Sequence, residues 1–349
     1  MIFPRCILAA LLSALVTFPA AAQSAFSVGD VSAAPGSVAL GTLQVAARSG
    51  DSGSSVPFSI VNGSAPGPVL ALIAGTHGME YVPIVALQRL RDAIDPKTLR
   101  GTLIMVHVAN MPSFLGRTIY YSPADGKNLN RVYPGKADGT LSERIADVIT
   151  REVIARATHV VDLHCGDGNE SLRPYSYWIT TGDPKVADAG RAMALAFGLD
   201  HIVVDRERPV DPGASIYTSN TAVTRGKPAL TTETGGMAVV DEPSIALVKK
   251  GVEGLMRHLG MRDEGPGPVT APVMLERNEV IRAGFTGMFY AEVERGHTVA
   301  KGGRIGRITD FHGRTLQEIV APFDGEVLYV VGTPPMTKGE PVAMVGGKS

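Results

Sequence analysis

The sequence has no surplus of charge of either sign. Its 349 residues include 33 lysines and arginines against 34 aspartates and glutamates, and no basic stripe or block stands out. A protein that binds nucleic acid or an anionic membrane surface carries clustered positive charge, so the composition argues against both partners. Internal repeats and low-complexity tracts are also lacking. Abundant glycine and proline without a repeat are typical of an α/β enzyme with many tight loops.

Long apolar runs are equally scarce. The one long run spans residues 7–18, follows Arg5 and leads into Pro19 and three alanines, a pattern typical of a secretory signal peptide. The run is shorter than the roughly 20 apolar residues that a membrane-spanning helix needs. We therefore expect a signal peptide over residues 1–22, cleavage after Ala22, export to the periplasm or the medium, and no membrane span in the mature chain.

Cysteine is limited to Cys6 and Cys165. Because Cys6 lies in the expected signal peptide, the mature chain keeps Cys165 alone and an intrachain disulfide is excluded. Nothing in the sequence indicates an oligomeric state.

Short apolar runs recur along the next part of the chain and alternate with helical patterns. Such runs are typical of strands buried on both faces, and the alternation predicts an α/β fold with a mostly parallel sheet flanked by helices. The predicted strands cover residues 69–75, 103–109, 159–163 and 229–232, and the predicted helices cover 81–93, 141–155 and 183–197.

A Gly/Pro segment over residues 263–268 interrupts this pattern, and no helix runs through such a segment. Short glycine-punctuated strands follow. We therefore predict a catalytic domain over residues 23–263 and a small all-β domain over 269–349, which lies near the active site and narrows access to it.

Two predicted strands end in side chains that bind metals. The first runs into His77 and Glu80, three residues apart, and the third is followed at once by His164. Taken alone, the His77 and Glu80 pair also suits the polar first turn of a helix. In an open α/β sheet, however, the carboxyl ends of the strands share one edge, where ligands bind. Two histidines and one glutamate suit one zinc ion per chain and leave a position for water, as in a catalytic zinc site.

Glu233 follows another predicted strand and precedes two glycines. In isolation it also suits a carboxylate that caps a turn. At the edge that holds the metal ligands, a carboxylate can instead accept a proton from water and pass it to a leaving nitrogen. Asp162, close to His164, is a candidate to support that ligand. His107, inside an apolar run, is interpreted as a core histidine.

The polar segment between Arg117 and Arg131 is the remaining candidate. A guanidinium can bind a substrate carboxylate in a bidentate manner, the adjacent Asn130 can share that contact, and a second arginine can stabilise an oxyanion. The alternative is a solvated surface loop whose arginines form weak ion pairs.

These residues together resemble a known family, the succinylglutamate desuccinylase and aspartoacylase family, a branch of the zinc carboxypeptidase-like fold. The resemblance spans residues 75–236. Its motifs, in order, are His77-Gly78-Met79-Glu80, Asn128-Leu129-Asn130-Arg131-Val132-Tyr133-Pro134-Gly135, Asp162-Leu163-His164 and Thr232-Glu233-Thr234-Gly235-Gly236.

The resemblance implies hydrolysis of an N-acyl amide on a small amine or amino acid that bears a carboxylate. His77, Glu80 and His164 would be the zinc ligands and Glu233 the general base. The remaining roles fall on the polar segment: Asn130 and Arg131 would bind the substrate carboxylate, and Arg117 would polarise the scissile carbonyl.

Two alternatives remain open at this point. An exported metallocarboxypeptidase acting on peptides, such as cell-wall stems, would use the same ligands and base. A non-catalytic zinc-containing binding protein would keep the ligands but would have no need of Glu233. In either enzyme the partner is a small-molecule or short-peptide substrate.

Overall fold

The computed structural model describes residues 22–348, so the expected signal peptide lies outside the described residues except for Ala22. Within them, no helix is long and apolar enough to cross a membrane. The α-helices are α1 (Tyr81–Ala93), α2 (Met111–Gly116), α3 (Leu141–Ile149), α4 (Pro184–Phe197), α5 (Thr218–Val223) and α6 (Glu242–His258). A 3₁₀ turn covers Leu129–Arg131, and a π-helical segment, Thr150–Ile154, extends α3.

The strands are numbered along the chain. The first eleven are β1 (Phe26–Val28), β2 (Val31–Ala33), β3 (Ser37–Val45), β4 (Ser54–Asn62), β5 (Ala65–Ala74), β6 (Arg100–Val106), β7 (His159–His164), β8 (Glu170–Leu172), β9 (Tyr175–Ile179), β10 (His201–Asp205) and β11 (Ala229–Glu233). The others are β12 (Val273–Leu275), β13 (Arg277–Arg282), β14 (Gly287–Ala291), β15 (Thr298–Val299), β16 (Arg304–Thr309), β17 (Thr315–Val320), β18 (Gly325–Val331), β19 (Pro335–Met336) and β20 (Pro341–Gly347).

A nine-stranded sheet forms the centre of the described chain, in the order β12-β10-β9-β11-β7-β5-β6-β4-β3. Five of its eight neighbouring pairs are parallel, and the antiparallel pairs are β9 with β11, β4 with β6 and β3 with β4. The prediction of a mostly parallel sheet is confirmed. The sequence did not reveal its antiparallel pairs.

Both faces of this sheet are buried, as the continuous apolar runs predict. Along β5, Leu70 and Leu72 pack with α1, α4 and α6, whereas Ala71 and Ile73 pack on the opposite face with α3 and α5. All four are fully buried. Burying a leucine or isoleucine side chain contributes about 1.5–3 kcal/mol to the free energy of folding. The buried side chains on both faces therefore stabilise the sheet that carries the loops at its edge.

The helices begin and end where the local chemistry requires it. The side chain of Asp183 accepts a hydrogen bond from the backbone N–H of Lys185, Pro184 opens α4, and Gly198 ends it with a φ of 83°. The sequence therefore predicts α4 closely. The predicted helix over 141–155 is divided, because the α-helical part ends at Ile149 and a π-helical turn follows.

The C-terminal part is all β, as predicted. Its sheets have the orders β13-β20-β18-β15 and β17-β16-β14-β19, and their inner faces enclose a separate apolar core that includes Phe289, Ile305, Ile308, Val327 and Val345.

Two short strands cross the predicted domain boundary. Val273–Leu275, placed in the C-terminal domain by the sequence, pairs with β10 at the edge of the central sheet. In the opposite direction, Glu170–Leu172 pairs with β18 of the C-terminal domain. Each domain therefore completes a sheet of the other, which fixes the C-terminal domain against the catalytic one.

Candidate metal and catalytic site

The loop that carries His77 and Glu80 connects β5 to α1. Its backbone is tightly constrained: Gly75 has a φ of 70°, and a Cβ on Gly78 would come within 2.3 Å of the carbonyl oxygen of Ser113. Glycine at these positions permits the turn and the close approach. The loop therefore directs the side chains of His77 and Glu80 inwards, where they are 8% and 2% exposed.

His77, Glu80 and His164 come together at the carboxyl ends of the neighbouring strands β5 and β7. One donor atom from each lies within 4.8 Å of the other two. Nδ1 of His77 lies 2.8 Å from Oε1 of Glu80, and Nδ1 of His164 lies 3.1 Å from the same oxygen. The same ring nitrogen of both histidines thus faces one carboxylate, and the three side chains that the sequence predicts as ligands lie together.

The outer nitrogens of both rings are held by other side chains. Nε2 of His77 lies 3.1 Å from Oδ1 of Asn128, and Nε2 of His164 lies 3.0 Å from Oδ2 of the fully buried Asp162. When Nε2 donates its proton to such an oxygen, Nδ1 keeps a lone pair for a metal. In addition, Oε2 of Glu80 lies 2.9 Å from Nδ1 of His164, so both oxygens of this buried carboxylate face the ring nitrogens. A donor set of two imidazoles and one carboxylate fits a divalent ion such as zinc.

Glu233 ends the strand beside His164. The two residues are register partners in the parallel pair of β11 and β7. The Glu233 side chain is partly exposed and makes no hydrogen bond to any residue that the structure describes. Burial raises the pKa of Glu233 well above its usual range; His164 opposes this shift, and Glu80 adds to it. Its carboxylate is therefore free to exchange a proton with a molecule in the cavity.

A cavity of about 550 Å³ lies over this cluster. Side chains of the C-terminal domain form part of its wall. The polar and aromatic lining comprises His77, Glu80, Tyr120, Tyr121, Lys127, Asn128, Arg131, Glu170, Tyr175, Tyr177, Glu233, Arg282 and Tyr329.

Asn130 does not offer its amide to the cavity as the sequence predicts. Nδ2 donates to Oδ2 of Asp162 at 3.1 Å, and Oδ1 accepts from the backbone N–H of Thr218 at 2.9 Å and from its hydroxyl at 3.1 Å. The side chain is also buried, at 6% exposure. Because its polar atoms are engaged inside the protein, we assign Asn130 a positioning role behind His164 instead of the predicted substrate contact.

Arg131 lies at the cavity wall together with Arg282, which the sequence did not indicate. Arg131 donates to the carbonyl of Asn130 at 2.7 Å and stacks on the Tyr217 ring at 4.4 Å. Arg282, at the end of β13, donates to the carbonyl of Gly339 at 3.0 Å. Neither guanidinium has a carboxylate partner among residues 22–348, so both can bind an anionic group of a ligand.

Arg117 lies elsewhere. It follows α2 with a φ of 50°, its side chain is exposed, and it does not line the cavity. The predicted role of Arg117 in polarising the carbonyl therefore has no geometric support, because a group with that role must reach the reacting atoms.

Tyr120 and Glu170 are further residues of this site that the sequence did not reveal. The backbone N–H of Tyr120 donates to Oδ2 of Asp167 at 3.2 Å, and its hydroxyl donates to Oε1 of Glu170. The Tyr120 ring meets the His77 ring edge-on at 5.5 Å. A three-residue strand that begins with glutamate produces no apolar pattern, so only the tertiary structure brings Glu170 to the cavity.

The chain is similar to proteins of one known family. The profile of the family described as "Succinylglutamate desuccinylase/Aspartoacylase catalytic domain" matches residues 66–259. A curated relative from Halomonas elongata, named N-alpha-acetyl-L-2,4-diaminobutyric acid deacetylase, is 31% identical over 261 residues, which cover 73% of this chain and 74% of that protein.

Solved structures with the same fold include two from other bacteria. The product-bound Ectoine utilization protein EutE (DoeB) from Ruegeria pomeroyi has a TM-score of 0.78 at 29% identity and covers 89% of this chain and 95% of its own. A succinylglutamate desuccinylase/aspartoacylase from Rhodobacter sphaeroides has a TM-score of 0.77 at 25% identity, with the same coverage of 89% and 95%. In both cases the similarity extends beyond the catalytic domain.

Proposed function

The chain belongs to the succinylglutamate desuccinylase/aspartoacylase family, and on that basis we propose that it is a zinc-dependent deacylase of small N-acylated amino acids. One observation carries the proposal: His77, Glu80 and His164 direct their donor atoms to one point, and Glu233 stands beside them in the same cavity. The family is named for a desuccinylase and an acylase, and the Halomonas elongata relative is named a deacetylase, which supports the same reaction class.

Zinc is the metal that best suits two imidazole nitrogens and one carboxylate, and when bound it supplies the Lewis acidity that amide hydrolysis requires. Asp162 and Asn128 fix the two histidine rings so that Nδ1 of each faces inwards. Asn130 in turn holds Asp162. The metal cluster is thus supported by a second set of hydrogen bonds, on which metal affinity commonly depends.

Glu233 is the proposed general base. Its free carboxylate takes the proton of the attacking water and delivers it to the departing nitrogen, so that the amine leaves in neutral form. Arg131 and Arg282 bind the carboxylate of the amino acid, which orients the acyl amide towards Glu233.

The first substrates to test follow from the relatives. The Halomonas elongata relative is named for an N-acetylated diamino acid, so Nα-acetyl-L-2,4-diaminobutyrate is the first candidate, together with other Nα-acetyl and Nα-succinyl amino acids.

The decisive experiment combines metal analysis with a substrate panel. One zinc per chain in the purified mature protein, together with release of free amine from N-acyl amino acids, is the expected result. Absence of bound zinc, with His77→Ala as active as the wild type, would remove the metal from the proposal. Bound zinc with no hydrolysis of any acyl amino acid or peptide would favour a binding protein.

A second candidate, a metallocarboxypeptidase, is favoured by one observation. A further cavity of about 700 Å³ adjoins the first and shares Arg131, Tyr177, Val280 and Arg282 with it. This space could accept the remainder of a peptide. Cleavage of peptides such as cell-wall stems, with no hydrolysis of acyl amino acids, would replace the first proposal by the second.

We also propose that the protein is exported, since residues 1–22 have the pattern of a signal peptide. The test is N-terminal sequencing of the protein from the periplasm or medium of an expressing bacterium. Gln23 as the first residue supports the proposal, and a cytoplasmic protein that retains Met1 contradicts it.

A further inference from the structure

Glu170 places a carboxylate at the wall of the catalytic cavity. The residue is only 7% exposed, and it lines the same cavity as His77, Glu80 and Glu233. The proposed hydrolysis already has its metal ligands and its base, so it has no need of this carboxylate. A buried charge is costly unless it serves a structural or binding role, and the surroundings of Glu170 distinguish between those roles.

The position of Glu170 is fixed from three sides. Its backbone pairs with Val331 of β18 in the C-terminal domain. Its Oε2 accepts the backbone N–H of Asp167 at 3.2 Å, and its Oε1 accepts the hydroxyl of Tyr120. These contacts hold the carboxylate at one place in the wall, but both donors are neutral and leave its charge unbalanced.

No lysine, arginine or histidine within the described chain forms an ion pair with Glu170 or with Asp167 beside it. Burial raises the pKa of Glu170 to about 7 and that of Asp167 to about 6. A cation placed next to Glu170 would relieve this unfavourable burial, because an opposite charge stabilises the ionised carboxylate.

Positive groups line the same cavity. Arg131 and Arg282 are cations without carboxylate partners in the described structure, and they share this cavity with Glu170. Besides the proposed base Glu233, the cavity therefore presents two cations without carboxylate partners and one carboxylate, Glu170, without a cationic partner to its occupant. A ligand with both a carboxylate and a cationic group complements such a wall, whereas a ligand with only a carboxylate leaves Glu170 unpaired.

We propose that Glu170 binds a cationic amine of the substrate, so that the enzyme selects N-acylated diamino acids over acyl amino acids with neutral side chains. This inference rests on the proposed deacylase function. The carboxylate of such a substrate binds Arg131 and Arg282, its acyl amide faces the metal ligands and Glu233, and its side-chain ammonium donates to Glu170.

The test compares two substrates that differ only in the charged group. Nα-acetyl-L-2,4-diaminobutyrate and Nα-acetyl-L-norvaline have side chains of the same length, and one ends in ammonium where the other ends in methyl. The wild-type enzyme is expected to show a kcat/KM about 10²-fold or more in favour of the amine-bearing substrate, because norvaline leaves a buried carboxylate unpaired.

Glu170→Gln removes the charge; its amide oxygen can accept from the backbone N–H of Asp167, and its NH2 group can donate to the hydroxyl oxygen of Tyr120. We expect it to reduce kcat/KM for the diaminobutyrate substrate by about 10-fold to 100-fold more than kcat/KM for the norvaline substrate, so that the ratio of the two values falls by that factor. Glu170→Asp keeps the charge but draws it back, and should retain part of the preference. Glu294→Gln, at an exposed turn of the C-terminal domain, is the control and should behave as the wild type.

A purely structural Glu170 has a different signature. If Glu170 only holds Tyr120, Glu170→Gln and Tyr120→Phe will lower kcat/KM for both substrates by similar factors. The preference for the amine-bearing substrate will then not change. That result, or a wild-type enzyme that hydrolyses both substrates equally, overturns the inference while the deacylase proposal stands. A zinc-loaded enzyme that hydrolyses neither substrate nor any other N-acyl amino acid overturns both.

Discussion

Nε2 of His164 lies 3.0 Å from Oδ2 of Asp162, two residues earlier on the same strand. Side chains two apart on a strand share one face, so β7 itself supplies both the ligand and the group that orients it. The amide of Asn130 donates to the same Asp162 oxygen at 3.1 Å. Through this chain of contacts, the Asn130 turn and the strand end fix a single orientation of the His164 ring.

Asp162→Asn should therefore weaken the metal site without removing a ligand. The variant keeps the size of the side chain but loses the charge that favours Nε2–H on His164. We expect zinc affinity to fall by about 10-fold to 100-fold, the usual effect of losing such a partner. Competition with a chelator measures it, and Asp138→Asn, at an exposed position, is the control. Equal affinity in Asp162→Asn and wild type would contradict this orientation role.

Glu233→Gln should separate binding from catalysis. The amide cannot accept a proton, but it has the size of the carboxylate and lies outside the ligand set. We expect the zinc content to match that of the wild type, while kcat falls by about 10²–10⁴-fold, the contribution of a general base. Metal analysis and steady-state kinetics on the same preparation give both quantities. A near-normal kcat would assign the proton transfer to another group.

Substitution of Arg131 should affect the kinetics of hydrolysis, and substitution of Arg117 should not. Arg131→Gln should raise KM about 10-fold to 100-fold for substrates with a free carboxylate, since it removes a charge-assisted hydrogen bond worth about 1.5–3 kcal/mol. For the same substrates with the carboxylate converted to an amide, the variant should differ little from the wild type. Arg117→Ala should keep near-normal kinetics, because this side chain does not line the cavity. A large loss of kcat in Arg117→Ala would restore its predicted role at the carbonyl.

The sequence predicts those parts of the fold and site that depend on local pattern. Helix α1 has the predicted bounds, since its apolar spacing and flanking turn are both local. His77, Glu80 and His164 converge as predicted because each lies near the carboxyl end of a buried parallel strand, and neighbouring strand ends share one edge. In such cases, short-range sequence signals determine the tertiary position.

The sequence does not predict features that depend on pairing between distant segments. Glu170 reaches the cavity on the three-residue strand β8, which pairs with β18 of the other domain and is too short to have a detectable periodicity. Arg282 ends β13, whose position depends on its pairing with β20, about 60 residues further along the chain. Asn130 lies in the polar segment that the sequence singles out, but its hydrogen bonds to Asp162 and Thr218 depend on two other segments. These long-range contacts determine which residues face the substrate.

The environment of His107 predicts how the stability of the fold, and not the activity, depends on pH. Nε2 of this buried histidine lies 2.6 Å from Oγ of Ser59, and burial, with Arg91 nearby, lowers its pKa to about 4. An unfolded chain has a histidine pKa near 6.5. Between these values the unfolded state binds a proton that the folded state does not. Stability from this group is therefore present above pH 6.5 and is lost as the pH falls towards 4, by up to about 3 kcal/mol.

The comparison of wild type with His107→Gln isolates this contribution. The variant cannot ionise at position 107, so denaturant unfolding between pH 4 and pH 7 should show the wild type losing more stability than the variant as the pH falls. Only the difference in slope carries the argument, because glutamine also changes the contact with Ser59. His312→Gln, at an exposed turn, controls for the loss of a histidine. Parallel curves for wild type and His107→Gln would mean that His107 takes up a proton in the folded state as readily as in the unfolded one, and its burial would then have no effect on acid stability.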